Sequence, residues 1–187
     1  MKLKVDAKLD RGFMPMALVC REMRENTRDN GQDIALAVER NQGYTYVYRT
    51  RIYKDNTGHD EENCKFIDRI AKTLLWVAGG YKITIAGSKV VGEYVKNTFC
   101  HGGTRDFDAR FMERVYERPF EVVVTDLANA PKEKSSASPV GKHLDGCRIG
   151  FDAGGSDRKV SAVVNGETVY SEEVVWFPKL NSDPNYH

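Results

Sequence analysis

The sequence predicts an α/β protein in which a mixed α+β N-terminal domain, residues 1–127, is joined by a linker, 128–146, to a set of antiparallel strands, 147–187. Three observations carry that prediction. Between Phe13 and Thr125, stretches with apolar residues at helical spacing alternate with stretches at two-residue spacing. The run from Ala128 to Gly146 is poor in apolar residues and rich in Ser, Pro and Lys, which suits a linker or long surface loop. Beyond it, Asn165-Gly166 stands between two alternating runs. That is the strongest short hairpin signal, because both residues accept the positive φ of a type I′ turn.

Taken in order, residues 13–26 read as a helix, since Met16, Val19/Cys20 and Met23 recur at helical spacing. Ile34, Leu36 and Val38 then alternate as a strand, Asn41-Gln42-Gly43 supplies a turn, and the β-branched and aromatic run Tyr44 to Tyr53 returns as its partner. After the polar stretch Lys54 to Asp60 comes a helix with Phe66, Ile67, Ile70, Leu74 and Leu75 on one face, ended by Gly79-Gly80. A short strand, Lys82 to Ala86, precedes a helix opened by Gly87-Ser88 and carrying Val91, Tyr94 and Val95. Past Gly102-Gly103 a further helix places Phe107, Phe111 and Val115 on one face, and Pro119 leads into the strand Phe120 to Thr125. In the C-terminal part, Arg148 to Asp152, Arg158 to Val164 and Thr168 to Trp176 read as three strands, followed by a polar tail.

Composition narrows the function classes. Hydrophobic residues make up 41% of 187 positions, with 9 Tyr, 8 Phe and 2 Trp, enough for a core and incompatible with global disorder or a collagen-like fibre. Lys plus Arg is 28 against 27 Asp plus Glu, a net charge of +1, so the basic field needed for non-specific nucleic-acid binding is missing. No run approaches 18 apolar residues and the first ten residues are charged. Neither a membrane span nor a secretory signal is therefore expected, and the expected compartment is the cytoplasm. Cys20, Cys64, Cys100 and Cys147 are dispersed without a C-x-x-C pair, the pattern of reduced thiols. Cys100-His101 is the one Cys/His neighbour pair and lacks partners at metal-ligand spacing.

The stretch that carries chemistry runs from Arg148 to Lys159. An apolar strand delivers Asp152 to its C-terminal end, Gly154-Gly155 turn sharply, Ser156 adds a hydroxyl, and Lys159 lies on the returning strand. Such an order suits a phosphate clamp. Glycines let backbone N–H groups approach anionic oxygens, the hydroxyl donates a further hydrogen bond, Lys159 supplies a compact positive charge, and Asp152 can hold a hydrated Mg²⁺ that bridges phosphate oxygens. The bland alternative is a glycine hairpin with a surface aspartate. Two other readings fail on spacing: the segment is not G-x-x-x-x-G-K-[ST], and Gly154 to Arg158 lacks the second glycine of G-x-S-x-G.

The pattern Gly-Phe-Asp-Ala-Gly-Gly-Ser-x-x-Lys, residues 150–159, followed by two further antiparallel strands, resembles the first phosphate motif of the superfamily of ATPases that unites actin, sugar kinases and heat-shock chaperones. Within it, residues 146–179 are most similar to the start of the kinase module in the ROK family of sugar kinases and repressors, and residues 111–126 resemble an N-terminal extension of some bacterial members. The resemblance implies a ribonuclease H-like, actin-like lobe at 147–187, with ATP and Mg²⁺ as cofactors. It also implies a nucleotide, and a sugar in the intact protein, as partners. Asp152, Gly154, Gly155, Ser156 and Lys159 then form the phosphate and nucleotide site, and Asp152 holds the metal through water. In the usual ROK motif the lysine is the fifth residue after the aspartate, where this chain has Asp157; here it is the seventh. That spacing is shared with the ATPase activators of acyl-CoA dehydratases. The family's catalytic aspartate, sugar-binding residues, second phosphate motif and zinc motif follow the matched segment, so the chain is expected to be the front end of a longer protein and inactive as a kinase by itself.

Lesser features receive structural readings. Gly87-Ser88 resembles the strand-to-helix turn that contacts adenosine in these ATPases, against a plain βα turn, which is preferred. His101-Gly102-Gly103 is similar to an esterase oxyanion turn but has no nucleophile to serve, and reads as a loop. Tyr44, Tyr46 and Tyr48, with Arg49 and Arg51 nearby, have the makings of a base-stacking row, though half-buried sheet packing explains them as well. Three functional classes follow: the N-terminal portion of a ROK-type sugar kinase, a non-kinase ATPase switch or sugar-responsive repressor of the same superfamily, and a stand-alone interaction domain.

Overall fold

Pro15 sets where the first helix can begin. Proline disfavours helical backbone in the residue before it, so α1 is Met16–Asn26, three residues shorter at its start than the periodicity suggests, with Pro15 at the capping position. The structure is a computed structural model that describes residues 4–5, 7–135, 141 and 144–187. These belong to two compact units, Met1–Ser136 and Ala137–His187.

In the first unit β1, Gly31–Glu39, and β2, Thr45–Tyr53, pair antiparallel. The turn between them is closed by Gln42 and Gly43 at φ 65° and 70°. Helix α2, Asp60–Ala78, opens with Asp60, Glu61 and Glu62, whose charges suit a helix N-terminus, and stops at Gly79. Strand β3, Lys82–Ala86, lies antiparallel to β1. Helices α3, Lys89–Thr98, and α4, Asp106–Tyr116, then lead to β4, Glu121–Thr125, which is parallel to β3. The sheet order is β2-β1-β3-β4, so β2, β3 and β4 run one way and β1 the other.

Alternation sorts this sheet into two unlike faces. Ile34, Leu36, Val38, Ile52, Ile83 and Ile85 form one core with Phe66, Ile67, Ile70, Leu75, Val91 and Val95 from α2 and α3, as the helical spacings predicted, except that Tyr94, grouped with Val91 and Val95 from the sequence, is exposed at the edge of that face. Helix α4 departs from expectation. Its buried residues are Asp108, Ala109 and Met112, whereas Phe107 is 67% exposed and Val115 also faces solvent. The reason is Trp76 of α2, whose Nε1 donates to Asp108 Oδ1 at 2.6 Å. Its ring stacks on Phe107 and Phe111, with centroids 6.3 and 5.0 Å away, so Phe107 lies against Trp76 at the surface while Phe111 also packs on the core.

The opposite face presents Ala35, Ala37, Thr84 and Ala86, all buried. Residues 127–134, the last residue of the expected N-terminal domain and the first part of the stretch read as linker, form a strap over the sheet. A 3-10 turn at Leu127–Asn129 contacts β1 and β3. Lys134 then pairs with Thr45 at the far edge, its N–H and C=O each bonded to that residue at 3.0 and 2.9 Å. Small side chains on that face leave room for the strap to lie close. The later part of the expected linker includes residues 136–140, 142 and 143, which lie outside the described residues.

The second unit is an antiparallel meander of β5, Cys147–Ala153, β6, Asp157–Val164, and β7, Glu167–Val175, as expected. Asn165 and Gly166 make the hairpin with φ 47° and 87°. Register places Ile149, Phe151, Val160, Ala162, Tyr170 and Val174, with Arg158 and Glu172, on one face and Gly150, Asp152, Asp157, Lys159, Ser161 and Glu173 on the other. The first face is mainly apolar yet open, with Ile149 79%, Phe151 66% and Tyr170 50% exposed.

Two carboxylates fasten the loop between α3 and α4. Asp106 accepts from Gly102 N–H at 2.7 Å. Glu113 accepts from Phe120 N–H at 3.0 Å and meets His101 Nε2 at 2.7 Å. The backbone N–H groups first, then Arg110 for Asp106 and His101 for Glu113, hold both carboxyls below their ordinary range. A depressed folded-state pKa stabilises above the unfolded value and is lost as pH falls through the folded one. We therefore expect the loop to loosen below about pH 4. Amide exchange at Phe120 is the measurement: relative to the intrinsic rate, protection should fall on acidification in wild type and be pH-independent in Glu113→Gln, whose amide oxygen still accepts.

Candidate phosphate-binding site

The chain reverses between β5 and β6 within Gly154, Gly155 and Ser156. Gly154 N–H donates to Asp157 C=O at 2.9 Å, and Trp176 N–H donates to Ser156 C=O at 3.0 Å, tying the third strand to the turn. The two glycines differ. A Cβ on Gly154 would lie 2.8 Å from Asp157 O, so the turn itself requires glycine there. A Cβ on Gly155 would meet no atom within 4 Å, and its φ lies outside the left-handed region. Nothing in the unit's own packing calls for glycine at 155.

All five sequence-predicted site residues gather at this corner. Asp152 and Lys159 are direct cross-strand partners, so their side chains share a face. Gly154, Gly155 and Ser156 form the turn beside them, and Asp152, Gly155, Ser156 and Lys159 are all exposed. Two further residues join them. Asp157 Oδ1 lies 3.5 Å from Lys159 Nζ, and Glu173 Oε1 of β7 lies 3.7 Å from it. Asp157 first, then Glu173, raises the Lys159 pKa, so the ammonium stays charged across the neutral range.

Glu173 was not singled out from the sequence, and the reason is geometric. A two-residue Asn165-Gly166 turn alone would set Lys159 opposite Glu172. A bulge between Ala162 and Val163 and the facing strand adds one residue to β7, and Glu173 takes the place instead.

The donor set suits Mg²⁺ of one kind only. Among the described residues no three His, Cys, Asp or Glu side chains are placed to enclose a metal. Exposed carboxylate oxygens at Asp152, with Asp157 and Glu173 on the same face, fit a hydrated ion shared with phosphate oxygens, the usual habit of Mg²⁺.

The other candidates are accounted for locally. Ser88 Oγ accepts from Val91 N–H at 3.1 Å and donates to Asp55 at 2.8 Å. Gly87 is needed because a Cβ would lie 2.5 Å from Asp33 O. A 530 Å³ crevice beside them is lined by Lys89, Glu93, Thr125 and Asp126 among others. The amides of Gly102 and Gly103 are bonded to Asp106 and to Cys100 C=O, so they form no oxyanion hole. Tyr48 packs on the core, Tyr46 is partly exposed, and Tyr44 lies under Arg40 and Lys134. No helix among the described residues is long and apolar enough to cross a membrane. Comparison with family models, with curated proteins and with solved structures found no match to this chain.

Proposed function

We propose that residues 147–187 are the opening strands of a ribonuclease H-like, actin-like ATPase lobe of ROK type. In it Asp152, Gly154, Gly155, Ser156 and Lys159 grip the phosphates of ATP, and Asp152 holds Mg²⁺ through water. The observation that carries this reading is Gly155: a side chain is missing where neither space nor backbone forbids one, beside an aspartate and a lysine that share a face. An approaching phosphate explains such a vacancy, because backbone N–H groups reach an anion only where no Cβ intervenes. The open apolar face of Ile149, Phe151 and Tyr170 also supports it. A contiguous apolar patch open to water marks an interaction surface, and the rest of such a lobe would cover this one. Asp152 contributes charge for the metal, Lys159 for the phosphates, and the turn fixes the register of the chain.

The sugar-kinase activity belongs, in this reading, to the intact protein, since phosphoryl transfer needs a base and an opposing lobe that excludes water. The seven-residue step from Asp152 to Lys159 favours a second reading, an ATPase switch of the same superfamily. Nitrogen-15 spectra of the chain with millimolar Mg·ATP test the common part. Shifts at Gly154, Gly155 and Ser156 are expected, with no sugar-dependent ADP release. Unmoved turn amides would overturn the phosphate reading, and measurable sugar-dependent turnover would overturn the assignment of this chain as an incomplete site.

A further inference from the structure

The charges around Lys159 do not suit a free anion. Asp152 faces it from β5, Glu173 faces it from β7, and Asp157 shares its strand and face. Three carboxylates and one ammonium sum to −3 + 1 = −2. A metal-free phosphate chain is a polyanion and would be repelled, whereas Mg²⁺ both cancels two charges and gives the carboxylates a hydrated ion to face. Lysine carries its charge on a flexible four-carbon stem, and here that stem has two anchors, at 3.5 and 3.7 Å, on neighbouring strands.

Building on the phosphate reading above, we propose that Glu173 is a positioning residue for Lys159 and that, with Asp157, it makes the site accept metal-complexed phosphate chains and reject metal-free ones. The bulge in β7 gives the idea its structural content: with regular pairing Glu173 would point to the opposite, apolar face, and Glu172 would stand beside Lys159. An ordinary exposed ion pair would contribute little to stability, so ligand selectivity rather than folding is the informative readout.

The probe is inorganic pyrophosphate, with Mg²⁺ or with a chelator, titrated into the labelled chain while the Gly154 and Gly155 amides are followed. Wild type should prefer the Mg²⁺ complex. In Glu173→Gln that preference should shrink about fivefold through tighter metal-free binding, the size expected for one charge near a screened anion. Glu173→Asp should keep it within about twofold, and the Lys159 ammonium should titrate lower in the Gln variant. Glu173 is exposed, and unchanged β6 and β7 amides will verify folding. If wild type binds the complex but Glu173→Gln keeps the full preference, the role of Glu173 is overturned and the phosphate site stands. If neither probe moves the turn in wild type, both fall.

Discussion

Replacing Gly155 by alanine should leave the fold as stable as wild type, or more stable by up to about 1 kcal/mol, since alanine restricts the unfolded chain at a site whose native backbone it can adopt. On the proposed phosphate reading, the same change should weaken Mg·ATP binding by about a hundredfold, because the new methyl stands between the turn amides and the phosphate. Gly154→Ala should behave differently. Its Cβ would lie 2.8 Å from Asp157 O and 3.0 Å from Asp157 Oδ1, so the turn must open, at a cost of about 1–3 kcal/mol. Thermal melts and titration calorimetry on the pair separate the two roles. Wild-type affinity in Gly155→Ala would mean that the glycine pair serves the hairpin alone.

On the same reading, Lys159→Met should lower Mg·ATP affinity by roughly ten- to a hundredfold, the range for losing a charge-assisted hydrogen bond to phosphate. Methionine keeps the length of the side chain and removes only its charge. Asp152→Asn should instead bind nucleotide with smaller loss and raise the Mg²⁺ concentration needed for turnover, since the amide fills the position without the negative charge that holds the hydrated ion. Calorimetry for the lysine variant and a Mg²⁺ titration of turnover for the aspartate variant check the two halves. Unchanged affinity in the first and normal turnover at low Mg²⁺ in the second would refute the clamp.

The candidate site was legible in the sequence where the signals are local. Asn165-Gly166, with both φ values positive, was read correctly because few other residues accept that backbone. The pairing of Asp152 with Lys159 follows from a tight reversal centred between Gly155 and Ser156. The apolar faces of α2 and β1 follow from their spacings, and their residues lie in one core. Glu173 was not legible, because one bulge residue reverses which of two adjacent glutamates faces the lysine.

By itself the sequence determined the elements, their order, the amphipathic meander and the gathering of Asp152, the glycine turn, Ser156 and Lys159, since each depends on side-chain period or on backbone conformations open to few residues. Only the tertiary structure decided matters that depend on distant neighbours. Phe107 lies at the surface against Trp76, some thirty residues earlier, which is anchored to Asp108, while Phe111 reaches both Trp76 and the core. Residues 127–134 lie on the sheet because Lys134 finds an unpaired edge at Thr45, a partner that composition cannot reveal. The difference between Gly154 and Gly155 also appears only in three dimensions. Two identical residues in sequence are distinguished by what a methyl group would meet: the carbonyl of Asp157 in one case, and open space in the other.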